Sequence, residues 1–191
     1  VNGHALLIKE PCASGTERVV RALSPPHLAS LRARHPTWRS EWVINVQGDE
    51  PHLPPQALLS LIHELPRWAA RGVSLVTLAT PLSQLTAQAR AEALSRRSVV
   101  KVAVDVHQRA LFFSRHPIGG AEAWVHVGVY AYHTSALNSL QAPPSPLSLA
   151  EGLEQLSWLE AGAQIGVVQA PPTPPGIDTP EELEQARLRR S

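Results

Sequence analysis

The 191-residue sequence has no methionine and only one cysteine, Cys12. A lone cysteine excludes an intrachain disulfide framework and a thiolate cluster for structural zinc. No histidine or basic cluster adjoins Cys12 to activate it as a nucleophile. With valine rather than methionine at position 1, the sequence is expected to begin at a non-standard start codon or inside a longer chain. Charge of one sign is also missing: 17 Lys and Arg face 16 Asp and Glu, a net charge of +1. That balance gives no long-range field for nucleic acid or an anionic membrane, so any anion binding must be local. No apolar run approaches the roughly 18 residues of a membrane span, and the start lacks the basic-then-apolar order of a signal peptide. The expectation is a soluble, cytoplasmic protein without nucleic-acid or membrane partners. The nine histidines are scattered, and the eighteen prolines form no repeat.

What is present suits one domain, residues 1–191, since a 43% hydrophobic chain of this length can bury a sizeable core. Ala5 to Ile8 reads as a buried strand, followed by a helix over Thr16 to Leu23. A polar connection from Ser24 to Ser40 leads to the β-branched strand Trp42 to Val46. Pro55 suits a first helical position, with Leu58, Leu59, Ile62, Leu65, Trp68 and Ala69 as the apolar face and Gly72 as the stop. Val73 to Ala79 reads as a strand and Gln84 to Leu94 as a helix, so the first half alternates as parallel α/β sheets do. Val99 to Val104, Ala110 to Ser114 and Val125 to Tyr132 are closely spaced strands, which predicts an antiparallel section. Leu149 to Ala161 reads as one helix, Gln164 to Gln169 as the last strand, and Pro171 to Gly176 as a stiff turn. Thr179-Pro180-Glu181-Glu182 opens a terminal helix.

Several positions admit both a structural and a chemical role. Gln47-Gly48-Asp49-Glu50-Pro51 follows a strand end, where open α/β sheets bind ligands, and Asp49 there suits either a β-turn or a Mg²⁺ ligand. Asp178 is the natural second carboxylate; Thr179, Pro180 and Glu182 already supply the helix cap, which frees it for another role. Ser14-Gly15-Thr16-Glu17-Arg18 reads as a capping box and also as a helix start able to receive polar ligand atoms. Arg18 suits a phosphate or carboxylate as well as plain solvent exposure. His126, Gly128, Tyr130 and Tyr132 share one strand face, fit either for a sugar pocket or for an ordinary half-exposed strand, with Gly128 permitting close approach. Glu154 and Gln155 interrupt an apolar pattern and face solvent unless a pocket needs them.

Taken in order, Ser14-Gly15-Thr16-Glu17-Arg18, Val43 to Pro51, and Val99-Val100-Lys101-Val102 resemble the 3-deoxy-manno-octulosonate (Kdo) cytidylyltransferase family. Phe113-Ser114-Arg115, His126 to Tyr132, Leu153-Glu154-Gln155-Leu156 and Gly176 to Glu181 match it in the same order. Blocks in one order over nearly the whole chain are far more specific than any single block. The resemblance implies a nucleotide-diphospho-sugar transferase fold, a three-layer α/β sandwich with a mixed, mainly parallel sheet. It implies transfer of a cytidylyl group from CTP to Kdo, giving CMP-Kdo and pyrophosphate for lipopolysaccharide synthesis, in a homodimer. On the same resemblance Asp49 and Asp178 hold Mg²⁺, and Ser14, Gly15, Thr16 and Arg18 serve the nucleotide. Gln47, Arg115, His126, Tyr130, Glu154 and Gln155 surround the sugar acid, with Arg115 suited to its carboxylate. Cys12 and Ala13 depart from the family, which has His or Gln there. The family's opening strand and basic phosphate loop are expected upstream of Val1, so the fold is expected to be N-terminally incomplete. A catalytically silent, truncated paralogue that binds nucleotide or sugar or pairs with another subunit is the alternative from a different class, and a sialic acid is the alternative substrate.

Overall fold

The computed structural model describes residues 7–34, 41–137, 139–141, 143–174, 176–177 and 179–188. Six strands form one sheet: β1 (Trp42–Val46), β2 (Leu75–Pro81), β3 (Lys101–Val104), β4 (Ala110–Ser114), β5 (Trp124–His133) and β6 (Ile165–Gln169). The spatial order is β4-β3-β5-β2-β6, and β1 lies beside β5. Among the described residues seven α-helices accompany them: α1 (Gly15–Ala22), α2 (Pro25–Arg34), α3 (Pro55–Ala70), α4 (Ala87–Ser95), α5 (Pro146–Glu151), α6 (Glu154–Glu160) and α7 (Pro180–Leu188).

Alternation along the strands creates two cores. Val76 and Leu78 of β2, Val127, Val129 and Ala131 of β5 and Val168 of β6 pack against Ala57, Leu61, Leu65 and Trp68 of α3. On the other face Leu75, Ala79, Tyr130, Tyr132, Ile165 and Val167 pack against Leu156 and Trp158 of α6, with Val19 and Val20 of α1 alongside. Helix, sheet and helix therefore make the expected three layers.

The sheet is mixed, as expected, but its neighbours are not mainly parallel. Pairing registers give β1, β2, β3 and β6 one direction and β4 and β5 the other, yet β5 lies between β2 on one edge and β1 and β3 on the other. Of the described pairs of strands only β2 and β6 are parallel neighbours. The alternating first half suggested parallel pairing because a sequence does not show where a later antiparallel strand will insert.

Four further expectations change. Ala5 and Leu6 lie outside the described residues, while Leu7 and Ile8 are irregular chain rather than strand; Leu7 is 74% exposed. The segment from Ser24 to Ser40 contains α2, whose Pro25 and Pro26 need no hydrogen-bond donor in a first turn. Leu59 and Ile62 of α3 point outward, because the sheet takes the stripe Ala57, Leu61, Leu65 and Trp68 instead.

The single helix expected over Leu149 to Ala161 is two, α5 and α6, broken at Gly152, which has φ 64° and ψ 40°. Only glycine enters that left-handed region without steric cost. The break turns Glu154 from a mid-helix residue into the first residue of α6 and buries Gln155. Gly152→Ala is expected to lower unfolding free energy by about 1 kcal/mol, measured by urea denaturation; an unchanged midpoint would show that the break does not depend on the glycine.

Candidate active site

On the α1 and α6 side of the sheet lies a cleft of ≈ 380 Å³. His126, Gly128, Tyr130 and Tyr132 of β5 are among the residues that line it, so the strand face read from alternation is the floor of a pocket rather than a half-exposed surface. Tyr130 stacks on Tyr132 with ring centroids 6.0 Å apart, and Trp158 meets Tyr130 edge-on at 5.4 Å. The Tyr130 hydroxyl is buried and has no hydrogen-bond partner among the described residues. Burial, reinforced by Tyr132 and Glu154, pushes its ionisation far upward, so it remains a hydroxyl able to donate.

His126 is held by Thr77. The Thr77 hydroxyl donates to the Val129 carbonyl at 2.7 Å, so its contact of 2.9 Å with His126 Nε2 assigns the ring proton to Nε2. That leaves Nδ1 as an acceptor. Loss of hydration lowers the His126 pKa to about 3, so the ring is neutral at physiological pH.

The turn after β1 is fastened to β5. The Gln47 N–H donates to the Gly128 carbonyl at 3.2 Å, and the Gly128 N–H donates to Glu50 Oε1 at 2.9 Å. A Cβ on residue 128 would run into Gln47 Oε1 and lie 3.0 Å from Glu50 Oε1. The close approach that Gly128 permits is therefore made by this turn. Asp49 lines the cleft, and its Oδ1 is buried without a partner among the described residues. The Asp49 carbonyl accepts the Ile177 N–H at 2.8 Å. Asp178, the expected companion, lies outside the described residues.

Ser14 caps α1, accepting the Glu17 N–H at 3.1 Å, while Glu17 Oε2 accepts the Ala13 N–H at 2.6 Å. The reciprocal arm of the expected capping box thus falls one residue early. Ser14 Oγ donates to Glu154 Oε1 at 2.8 Å, and Thr16 Oγ1 donates to Glu154 Oε2 at 3.0 Å. Gly15 and Thr16 line the cleft with Glu154 and Gln155. Gln155 is 6% exposed. Arg18 stands apart: its guanidinium donates to the Ile8 carbonyl at 2.8 Å, and it lines a neighbouring depression that shares Gly15, Asn45, Gln47 and Asp49 with the cleft.

Arg115 enters from the end of β4. Its guanidinium donates to the carbonyls of Glu151, Arg97 and Gly152 at 3.0, 3.1 and 3.3 Å. Three of its five N–H groups are thereby used, leaving one on each terminal nitrogen. No carboxylate among the described residues pairs with this guanidinium, since Glu151 Oε2 accepts the Arg115 backbone N–H instead.

Lys101 was not singled out by its own chemistry, only as part of a matching block. It is fully buried, and its ammonium donates to the carbonyls of Arg96, Val99 and Arg115 at 2.7, 2.8 and 3.2 Å. Burial, and secondarily the Arg115 charge, lowers its pKa. A lysine inside the apolar run Val99 to Val104 is the signal that marks it, because a buried charge must be bonded.

The fold and cleft define a protein of the nucleotidyl-transferring α/β class, and the family model described as cytidylyltransferase matches residues 2–165. The 3-deoxy-manno-octulosonate cytidylyltransferase of Anaeromyxobacter sp. strain Fw109-5 is 39% identical over 97% of this chain and 70% of its own length. That of Bradyrhizobium diazoefficiens is 36% identical over 97% of this chain and 71% of its own. The solved structure of a CMP:2-keto-3-deoxy-manno-octonic acid synthetase complexed with CTP superposes with a TM-score of 0.70 at 34% identity, covering 94% of this chain and 68% of that one. The chain belongs to the 3-deoxy-manno-octulosonate cytidylyltransferase family. An inositol-1-phosphate CTP transferase from T. maritima, TM-score 0.52 and 18% identical over 85% of this chain and 59% of that one, shares the fold.

The state of His126 has a consequence for stability. In the unfolded chain a histidine titrates near 6.5, whereas the folded ring stays neutral to about pH 3. Between those values the unfolded state binds the extra proton, so stability falls as pH drops from about 6.5 toward 3. Urea unfolding at pH 7.5 and 4.5 is expected to show a smaller loss in His126→Gln than in the parent chain; an equal loss would refute the assignment.

Proposed function

We propose that the cleft activates Kdo with CTP, releasing pyrophosphate and forming CMP-Kdo. The observation that carries this reading beyond family membership is the Arg115 guanidinium, fixed by three carbonyls and lacking an anionic partner among the described residues. It offers a fixed positive charge and two N–H groups to the carboxylate of a sugar acid. Tyr130, Gln155 and neutral His126 supply donors and an acceptor for sugar hydroxyls beside it. The start of α1 at Ser14, Gly15 and Thr16 serves the nucleotide. The anomeric 2-hydroxyl attacks the α-phosphorus as the bond to the pyrophosphate oxygen breaks, and the chain contributes by orienting the two reactants.

The residues fit a divalent cation. Asp49 presents a buried, unpartnered carboxylate oxygen to the cleft, the hard donor that Mg²⁺ takes. No group of three or more potential metal ligands occurs among the described residues, and Mg²⁺ normally needs only one or two carboxylates. We assign Asp49 and Asp178 to that ion. When bound, Mg²⁺ would neutralise charge on the phosphate oxygens. No helix among the described residues is long and apolar enough to cross a membrane. The reading further implies a homodimer working in the cytoplasm, supplying activated sugar for lipopolysaccharide.

Pyrophosphate release from CTP, Mg²⁺ and Kdo tests this. Asp49→Asn is expected to lower kcat by roughly a hundredfold or more. Arg115→Lys is expected to raise KM for the sugar acid by about tenfold. Preference for a sialic acid would overturn the substrate, and no nucleotide turnover with retained CTP binding would favour a silent paralogue.

A further inference from the structure

Two hydrogen-bond relays converge on the Glu154 carboxylate, and the direction of each is fixed. The hydroxyl of Thr16 must give its proton to Glu154 Oε2, because an ionised carboxylate only accepts. The 3.1 Å contact between Thr16 Oγ1 and the Tyr132 hydroxyl is therefore donated by Tyr132. The Tyr132 oxygen in turn accepts from Asn45 Nδ2 at 3.3 Å. The relay runs Asn45 to Tyr132 to Thr16 to Glu154, crossing β1, β5, α1 and α6. The second runs from the Glu17 N–H to Ser14 Oγ to Glu154 Oε1. Burial pushes the Tyr132 ionisation upward despite the two hydrogen bonds, so it persists as a donor.

We propose that Tyr132 and Thr16 are positioning residues that aim Glu154 at the sugar acid and hold the nucleotide-side helix α1 against the sugar-side helix α6. Thr16 is 3% exposed and Tyr132 is fully buried, so neither hydroxyl is a surface group; Glu154, in contrast, is exposed and lines the cleft. A glutamate in such a place loses considerable rotamer freedom when it is fixed. Here both oxygens are already fixed by hydroxyls, and each keeps a lone pair for a sugar hydroxyl. Polarised chains of this kind strengthen their last bond. The consequence is that the Thr16 hydroxyl proton is engaged by Glu154, so what Thr16 offers the nucleotide is its place in the first turn of α1.

This inference rests on reading the cleft as a CTP and sugar-acid site. Steady-state kinetics of the full chain with CTP, Mg²⁺ and Kdo are compared for Thr16→Val, Thr16→Ser and Tyr132→Phe. Thr16→Val is expected to raise KM for Kdo by about tenfold, the size of one lost hydrogen bond to a charge, and Tyr132→Phe, which removes bonds between neutral groups, by about threefold, with smaller changes in kcat and in KM for CTP. Thr16→Ser, which keeps the hydroxyl, is expected to restore the parent value. An unchanged KM for Kdo in both variants, or a fall confined to kcat, overturns the proposal. A parent chain inactive on CTP and Kdo would instead sink the functional reading. The relay is then judged by amide hydrogen exchange: the first turns of α1 and α6 should exchange faster together in Tyr132→Phe, and a change in one alone overturns it.

Discussion

The backbone of Gly128 must find hydrogen-bond partners in a place where the sheet offers none, and much of the cleft follows from that need. On one edge of β5, β1 ends opposite Val129 and β3 begins opposite Val125, leaving a gap between them. On the other edge the register with β2 passes from Tyr130 directly to Val127, so Gly128 and Val129 have no partner positions in β2. An unpaired peptide buried there would cost about 1–3 kcal/mol for each lost bond. The turn after β1 fills the gap with the Gln47 N–H and the Glu50 carboxylate, and Thr77 takes the Val129 carbonyl. Asp49, lying between Gln47 and Glu50, is thereby carried to the cleft by bonds that its neighbours make. The bulge thus couples the strand register to the placement of a candidate metal ligand, a recurrent use of such irregularities.

How much of this was legible follows from the range of the interactions involved. The strands Trp42 to Val46 and Ala110 to Ser114 were readable because β-branched or aromatic runs end at sharp turn signals, and the capping residues Ser14 and Thr179 were readable from local spacing. The shared face of His126, Gly128, Tyr130 and Tyr132 was legible because a period of two survives the bulge. The order of the strands was not, since it depends on β5 entering beside strands that precede it by many residues. The break at Gly152 was missed because an isolated glycine in an apolar helical pattern is compatible with continuation, and only its left-handed backbone ends α5. Arg18 shows the converse: a cation beside a promising motif can be engaged by a backbone carbonyl, here that of Ile8.

Lys101 and Arg115 illustrate what a sequence withholds about charge. Both were visible as cations in matching blocks, yet neither revealed that its partners would be backbone carbonyls. The Lys101 ammonium ties the loop before β3 to the carbonyl of Arg115, while the Arg115 guanidinium ties itself to Arg97 in that loop and to the α5–α6 break. The charge of Lys101 is used to hold the backbone from within, and that of Arg115 remains open to the cleft. Near the end of α4, Arg96 pairs with Glu92 and with Glu182 of α7, so the same loop also anchors the helix that follows Asp178 in sequence.

The balance of charge in the cleft bears on the proposed chemistry. Asp49, Glu50, Glu92 and Glu154 line it, against Arg115 as the only lysine or arginine among the described lining residues. Glu92 is paired with Arg96, Glu50 accepts the Gly128 N–H, and Glu154 accepts from the hydroxyls of Ser14 and Thr16. His126 adds no positive charge, because burial keeps it neutral. A triphosphate and a sugar carboxylate entering such a site would meet these carboxylates, and like charges at close range repel. A divalent cation on Asp49 would convert the largest part of that repulsion into attraction at the place where phosphate charge develops. The neutral overall composition of the chain thus conceals a locally acidic set of described lining residues, a surround in which a divalent cation would be favoured.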